Sequence, residues 1–333
     1  MATLKILSVL SLTALGLGLS ACQQKQENKL DAAAAESSVA KDVKKVAIGF
    51  QKSSLNLLVA RDEKLIEQQF PHAKIEWIEF PAGPQMLEAL AVGAVDYGSV
   101  GNTPPIFAQA AKKDLNYVAY EVTPAHSLAL VVHDNSAITQ LTQLKGKRIA
   151  LQKGSNAHEL LSKVLQRAGL TWTDIQPIWL PPADARAAFD KKSVDAWVIW
   201  DPFLAAVEIQ DQARVLTKTG DFDQTYSFYV ASPKFINTHP QATAQFLNAL
   251  NNADQWILKN QKVALEIYQK NTGLDKAVAE RAFERRNKPS PIHALGTEQI
   301  QAQQNIADSF QTLGLIPNKL NIQPIVWSIP SSN

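Results

Sequence analysis

Cysteine is almost missing from this chain: the 333 residues contain one, Cys22. A single thiol forms no internal disulfide, so no disulfide framework supports the fold, and a cysteine-built metal site is excluded. Neither sign of charge is in excess. There are 33 Lys and Arg against 31 Asp and Glu, a formal net charge of +2, which argues against nucleic acid as a partner. Histidines at 72, 126, 133, 158, 239 and 293 form no paired helical ligand motif, so no metal is expected. There is no P-loop and no G-x-G-x-x-G behind a strand, and no cofactor is implied. Ser155 and His158 are at helix-cap spacing and do not read as a nucleophile and its base. After Cys22 no run is long and apolar enough to cross a bilayer.

The one sustained apolar run is at the start. Lys5 precedes Ile6 to Leu19, which is short for a permanent span and closes on Leu19-Ser20-Ala21-Cys22. Residues 1–21 are expected to be a lipoprotein signal peptide, with Cys22 lipidated and the protein anchored to a membrane on the periplasmic side. A plain secretory signal would leave an unpaired thiol in an exported protein, which acylation accounts for. Residues 22–44 are rich in Gln, Lys, Glu, Ala and Ser without apolar period, the composition of a flexible tether.

The body contains one pattern twice. Val46 to Phe50 is a β-branched, apolar run followed by Gln51-Lys52-Ser53-Ser54 and a helical pattern from Leu55 to Phe70. Later, Arg148 to Leu151 is followed by Gln152-Lys153-Gly154-Ser155 and a helical pattern from His158 to Ala168. The second halves agree as well. Met86 to Leu90 leads through Val95-Asp96 to a strand ending at the turn Gly101-Asn102-Thr103. Arg186 to Phe189 leads through Val194-Asp195 to a strand ending at Trp200-Asp201-Pro202. Strands alternating with helices predict a mostly parallel, helix-flanked α/β sheet in each half. Ligands in such sheets bind outside the carboxyl ends of the strands, where all four turns lie. Two similar lobes with a cleft between them are expected: residues 45–130 plus 233–333 as the first, 131–232 as the second. Leu128 to His133 and Phe228 to Ser232 are expected to be the hinge strands. The helical patterns Ala242 to Leu258, Val263 to Gln269, Ala277 to Glu284 and Glu298 to Leu313 follow.

Helix N-termini present free N–H groups and a positive dipole end, which suits a small anion. Candidates are Ser53 and Ser54, Gly101, Asn102 and Thr103 as an N-cap before two prolines, and Gly154 and Ser155, where glycine permits close approach. Trp200 is either core or an apolar wall for a ligand's carbon part. Asp201 meets an amino group on a ligand or caps the next turn, and Glu121 carries the same ambiguity. Arg186 reads as a surface residue.

These stretches resemble a known family. Val46 to Ser54, Phe80 to Leu90, Pro104 to Ala111, Gln152 to Ser155, Pro182 to Phe189, Val194 to Trp197 and Trp200 to Pro202 are similar to the aliphatic-sulfonate-binding proteins, over residues 46 to about 327. The resemblance implies the type II periplasmic-binding-protein fold, a monomer without enzymatic activity, and delivery of an alkanesulfonate to the permease of an ABC importer. It implies ligand contacts at Gln51, Ser53, Ser54, Gly101, Asn102, Thr103, Gly154, Ser155, His158, Trp200, Asp201, Thr225 and Tyr226. Ser53 stands where the family has glycine and Asn102 where it has aspartate. Taurine, nitrate and thiamine-precursor binders share the fold, as does a pyrimidine-synthase-like enzyme that would use His158.

Overall fold

The computed structural model describes residues 42–328; the expected signal peptide, Cys22 and most of the expected tether lie outside this range. Two five-stranded sheets organise it. The first has the order β2 (Lys74–Glu79), β1 (Lys45–Phe50), β3 (Tyr97–Gly101), β10 (Tyr226–Ala231), β4 (Asn116–Val122). The second runs β7 (Gln176–Trp179), β6 (Arg148–Leu151), β8 (Ala196–Trp200), β5 (Leu128–Val132), β9 (Arg214–Lys218). In each, three strands pair in parallel, the fourth is reversed and the fifth runs with the first three. The central strands are buried nearly end to end, which is why they read as continuous apolar runs and not as alternating ones.

The helices are α1 (Leu55–Asp62), α2 (Leu65–Gln69), α3 (Gly83–Ala91), α4 (Thr103–Ala110), α5 (Asn156–Arg167), α6 (Pro182–Asp190), α7 (Phe203–Gln210), α8 (Pro233–Thr238), α9 (Ala242–Lys259), α10 (Gln261–Thr272), α11 (Lys276–Arg285) and α12 (Thr297–Thr312). The single helix expected from Leu55 to Phe70 is broken at Lys64, which sits in the left-handed region at φ 55°. That break turns Ile66 and Phe70 into the core. On one face of the first sheet α1, α9, α10 and α11 close over Tyr97, whose ring stacks on Phe246 at 4.3 Å. On the other, Met86, Leu87 and Leu90 of α3 meet Phe228 and Phe310. Each fully buried aliphatic side chain here contributes about 1.5–3 kcal/mol.

The repeated Val-Asp has a structural reason. Asp96 Oδ2 accepts a hydrogen bond from the Ala47 N–H at 2.8 Å, and Asp195 Oδ2 accepts one from Arg148 N–H at 2.8 Å. The backbone N–H of each aspartate donates back to the carbonyl of the same partner, again at 2.8 Å. Each Asp thereby pins the entry of its third strand to its first, fixing the parallel register in both lobes.

The sheets divide the chain slightly differently from the expected boundaries. β5 lies wholly in the second sheet and β10 wholly in the first, so residues 128–130 pass to the second lobe and 226–232 to the first. The crossings are therefore the short segments 123–127 and 219–225, not the strands themselves, because antiparallel pairing commits each strand to one sheet. The crossings bind one another. Thr123 N–H donates to Thr225 O at 3.0 Å and Gly220 N–H to Ala125 O at 2.7 Å. A Cβ on Gly220 would lie 2.8 Å from that same carbonyl, so the closest point of the hinge requires glycine.

Candidate functional site

A cavity of about 140 Å³ lies between the lobes at the carboxyl ends of the strands. Three short turns build most of it. At the first, Gln51 N–H donates to Ser54 Oγ at 3.3 Å, the Ser54 hydroxyl pairs with the Ser99 hydroxyl at 2.7 Å, and Gln51 Nε2 donates to Ser99 O at 3.0 Å. Ser54 precedes α1 but makes no side-chain cap, so its hydroxyl serves the turn instead. At the second, β3 ends on Gly101 against the Asn156 side chain of the opposite lobe. At the third, Ser155 caps α5, its Oγ accepting from Ala157 N–H at 3.2 Å. A second hydroxyl pair, Thr123 with Ser227 at 3.0 Å, closes the hinge side.

Of the residues expected to meet ligand, Gln51, Ser53, Ser54, Gly101, Ser155, Trp200 and Asp201 border this cavity. Asn102, Thr225 and Tyr226 border a different hollow, behind the first, between α5 and α12. Thr103 is fully buried and is the first residue of α4 rather than its cap; Asn102 holds the cap position, and the Thr103 hydroxyl donates to Asn102 Oδ1 at 2.9 Å. Gly154 and His158 lie beneath the site. His158 is packed between Phe107 and Phe310 of the first lobe and Trp172 and Trp179 of the second, and its Nδ1 accepts from Gly154 N–H at 3.3 Å. Burial, helped by the charge of Lys153, pushes His158 down to about 3, so it is neutral. It is a packed aromatic between the lobes. Arg186 pairs with Asp190 and Asp211, away from the cavity.

The neutral His158 predicts a pH effect on stability. Its folded pKa lies below the ordinary value near 6.5, so the stability it lends is complete above that value and is lost as pH falls toward 3. At one pH unit below 6.5 the loss is about 1.4 kcal/mol. Because other groups titrate over the same interval, the effect is read as a difference: going from pH 7.5 to 5.5 should cost the native protein about 1.4 kcal/mol more than it costs His158→Phe in thermal melts.

Sequence reading missed Asn56, Ser99, Thr123, Ser227, Tyr268, Arg286 and Ser290, all on the cavity wall. Ser227 was within reach: along β10 the side chains alternate, Tyr226 and Phe228 enter the core, and the residue between them turns to the cleft. Arg286 and Ser290 come from the C-terminal region, outside the repeat, marked only by the basic run Arg285-Arg286-Asn287-Lys288. Arg286 donates to Asn56 Oδ1 and stands 3.6 Å from Asp254. Asn56 and Ser290 each donate to Glu121 Oε2, at 3.2 and 3.0 Å. Burial raises the Glu121 carboxyl, and Arg286 opposes that rise.

The lobes are held together beside the cavity. Asp201 Oδ1 accepts from Ala205 N–H at 3.0 Å and from Arg285 Nη1 at 3.1 Å; Arg285 also pairs with Glu208. Arg285 belongs to α11 of the first lobe, its carboxylates to the second. Burial pushes Asp201 up to about 7, with Arg285 pulling the other way. Among the described residues no group of His, Cys, Asp or Glu is arranged to hold a metal, and no helix is long and apolar enough to cross a membrane.

This geometry has known counterparts. The chain is 41% identical to the alkanesulfonate-binding protein SsuA from Xanthomonas axonopodis pv. citri bound to MOPS, covering 85% of this chain and 98% of that one with a TM-score of 0.82. It belongs to the aliphatic-sulfonate-binding family. The periplasmic aliphatic sulphonate binding protein SsuA from Escherichia coli matches at 40% identity, over 87% of this chain and 94% of that one, with a TM-score of 0.80. A protein of Escherichia coli (strain K12) assigned to aliphatic sulfonates binding is 42% identical over 84% of this chain and 88% of its own length. The sequence profile described as NMT1/THI5 like matches residues 74–264. The desulfurization enzyme DSZB shares the fold at 13% identity, with a TM-score of 0.61.

Proposed function

We propose that this family member captures an aliphatic sulfonate between its lobes and hands it to the permease of an ABC importer, acting as a monomeric binding protein and not as an enzyme. The observation that carries the reading is the set of neutral donors on the cavity wall. The Ser54–Ser99 and Thr123–Ser227 hydroxyl pairs, Gln51 and the Asn156 amide converge there with the ends of α1 and α5. A sulfonate is a permanent monoanion whose oxygens only accept hydrogen bonds, so hydroxyls, amides and helix N-termini match it without a titrating partner. Leu55, Trp200 and Phe283 offer apolar surface for the carbon chain. His158 does not border the cavity and is packed among Phe107, Phe310, Trp172 and Trp179, which supports binding over chemistry at this histidine. Residues 1–21 as a signal peptide and lipidated Cys22 would hold the protein at a membrane facing the periplasm.

Calorimetry is expected to give one butane-1-sulfonate bound per chain and recovered unchanged, with sulfate and nitrate at least about tenfold weaker, the loss of apolar contact and fit being worth about 1.4 kcal/mol or more. Equal affinity for sulfate would defeat the reading. Ligand should also change the tryptophan fluorescence, and Trp200→Phe, which leaves six of the seven tryptophans, should remove most of that change.

A further inference from the structure

Resting on the sulfonate reading of this cleft, we propose that the cleft sorts its ligands by charge, so that it also admits a short alkyl phosphate as the singly ionised ester and excludes the doubly ionised form. Among the described residues, only Glu121 of β4, Asp201 after β8 and Arg286 after α11 border the cavity with a charge. The one cation is already committed. Arg286 donates to Asn56 Oδ1 and to Asn287 O and stands 3.6 Å from Asp254, which is 1% exposed. Asp201 is paired with Arg285, which Glu208 shares.

The lysines beside wall residues in the chain are turned elsewhere. Lys52 Nζ donates to Thr272 O at 3.1 Å, Lys288 Nζ to Phe283 O at 2.7 Å, and Lys153 Nζ stands over the Trp179 ring. Glu121 is half-buried; it accepts from Asn56 and Ser290 and faces Arg286, Asp254 and the phenol of Tyr229. Asp201 faces Arg285, Glu208 and the phenol of Tyr268, and burial raises both phenols, so neither adds a charge. A ligand therefore meets hydroxyls, amides and backbone N–H groups, with carboxyls that balance or outweigh the guanidinium.

One negative charge spread over three oxygens suits such a wall. A second finds no uncommitted cation, and the cost of taking it out of water is left unopposed. A sulfonate never reaches that limit, but a phosphate monoester does, because its second ionisation has a pKa of about 6. The singly ionised ester keeps one P–OH, which requires an acceptor. The hydroxyl pairs supply it: in Ser54–Ser99 and Thr123–Ser227 either oxygen can be the donor within the pair. The hydroxyl left over can donate to a sulfonate or accept from a P–OH.

The test compares propyl phosphate with propyl sulfate, which has the same number of heavy atoms and stays singly charged, by calorimetry at pH 5.0 and 8.0. The affinity of the phosphate relative to the sulfate is expected to fall about a hundredfold between the two, because the singly ionised fraction of an ester with a pKa of about 6 falls by that factor. Titration of the wall acts on both ligands, and their ratio removes the shared part. Glu121→Gln keeps an oxygen for Asn56 and Ser290 and removes a wall charge, so the fall should shrink to about tenfold. If that variant does not fold, the native ratio decides the question. A native ratio that is constant, or that rises toward pH 8.0, overturns the sorting. So does a phosphate ester that fails to bind at pH 5.0 where propyl sulfate binds. Butane-1-sulfonate, titrated alongside, keeps its affinity in all of these cases if the sulfonate reading stands; if it does not bind, both fail.

Discussion

Gly101→Val is expected to lower affinity for a sulfonate at least about a hundredfold, or about 2.7 kcal/mol, while leaving the melting temperature of the unliganded protein close to native. Gly101 ends β3, and a Cβ placed on it would lie 1.8 Å from Asn156 Oδ1 and 2.2 Å from its Cγ and Nδ2. Asn156 opens α5 on the other lobe, so the clash falls on lobe closure and not on either core. Alanine is a graded probe, because the short Asn156 side chain has to rotate or withdraw to admit one methyl group. Combining Gly101→Ala with Asn156→Ala should restore part of the closure that Gly101→Ala loses, a non-additivity visible in a double-mutant cycle. Additive losses in calorimetry would show that Gly101 is required for its backbone conformation and not for the approach of the lobes.

Arg285→Ala should be the most destabilising single change beside the cleft. Arg285 is 9% exposed at its side chain and serves two carboxylates, Asp201 and Glu208, exposed by 9% and 15%. Its removal leaves both without their shared cation, and breaking a buried pair in this way costs about 3–5 kcal/mol. The melting temperature should drop by about 5–15 °C. The sign of the pH dependence follows from Asp201. Its folded pKa, about 7, lies above the ordinary carboxylate value of 3.8, so the folded protein keeps a proton that the unfolded chain releases. That group costs stability increasingly as pH rises from about 4 to about 7, and the cost is constant above. Without Arg285 the carboxyl climbs further, and the costly interval extends to higher pH. The gap in melting temperature between native and Arg285→Ala proteins should therefore widen from pH 6 to pH 8. A gap that stays constant would mean that packing of the Arg285 stem, and not its charge, carries the effect.

The architecture and the strand ends that border the cavity were legible in the sequence because both depend on local pattern. The Gln-Lys-x-Ser and Val-Asp repeats are short-range features, and each acts locally. Ser54 and Ser155 order a turn at a strand end, and Asp96 and Asp195 pin a strand entry to the strand beside it. Seven of the thirteen contacts implied by resemblance border the cavity, those that sit at strand ends. Where the reading missed, the missing quantity was direction or distance in space. Thr225 and Tyr226 stand beside Ser227, but the pleat turns only Ser227 into the cleft. His158 is three residues beyond Ser155, yet the helix carries it into an aromatic layer where burial keeps it neutral.

The sequence by itself determined two α/β lobes, four strand-end turns and a neutral donor set fit for a small anion, since hydrophobic period, turn chemistry and internal repetition are written in neighbouring residues. Only the tertiary structure decided that Arg286 joins the cleft, that Arg285 bridges the lobes beside it, and that Gly101 meets Asn156. It also decided that Asp201 keeps one oxygen buried without a partner. Those contacts join residues far apart in the chain, and closing such a gap leaves no periodicity behind for a sequence to show.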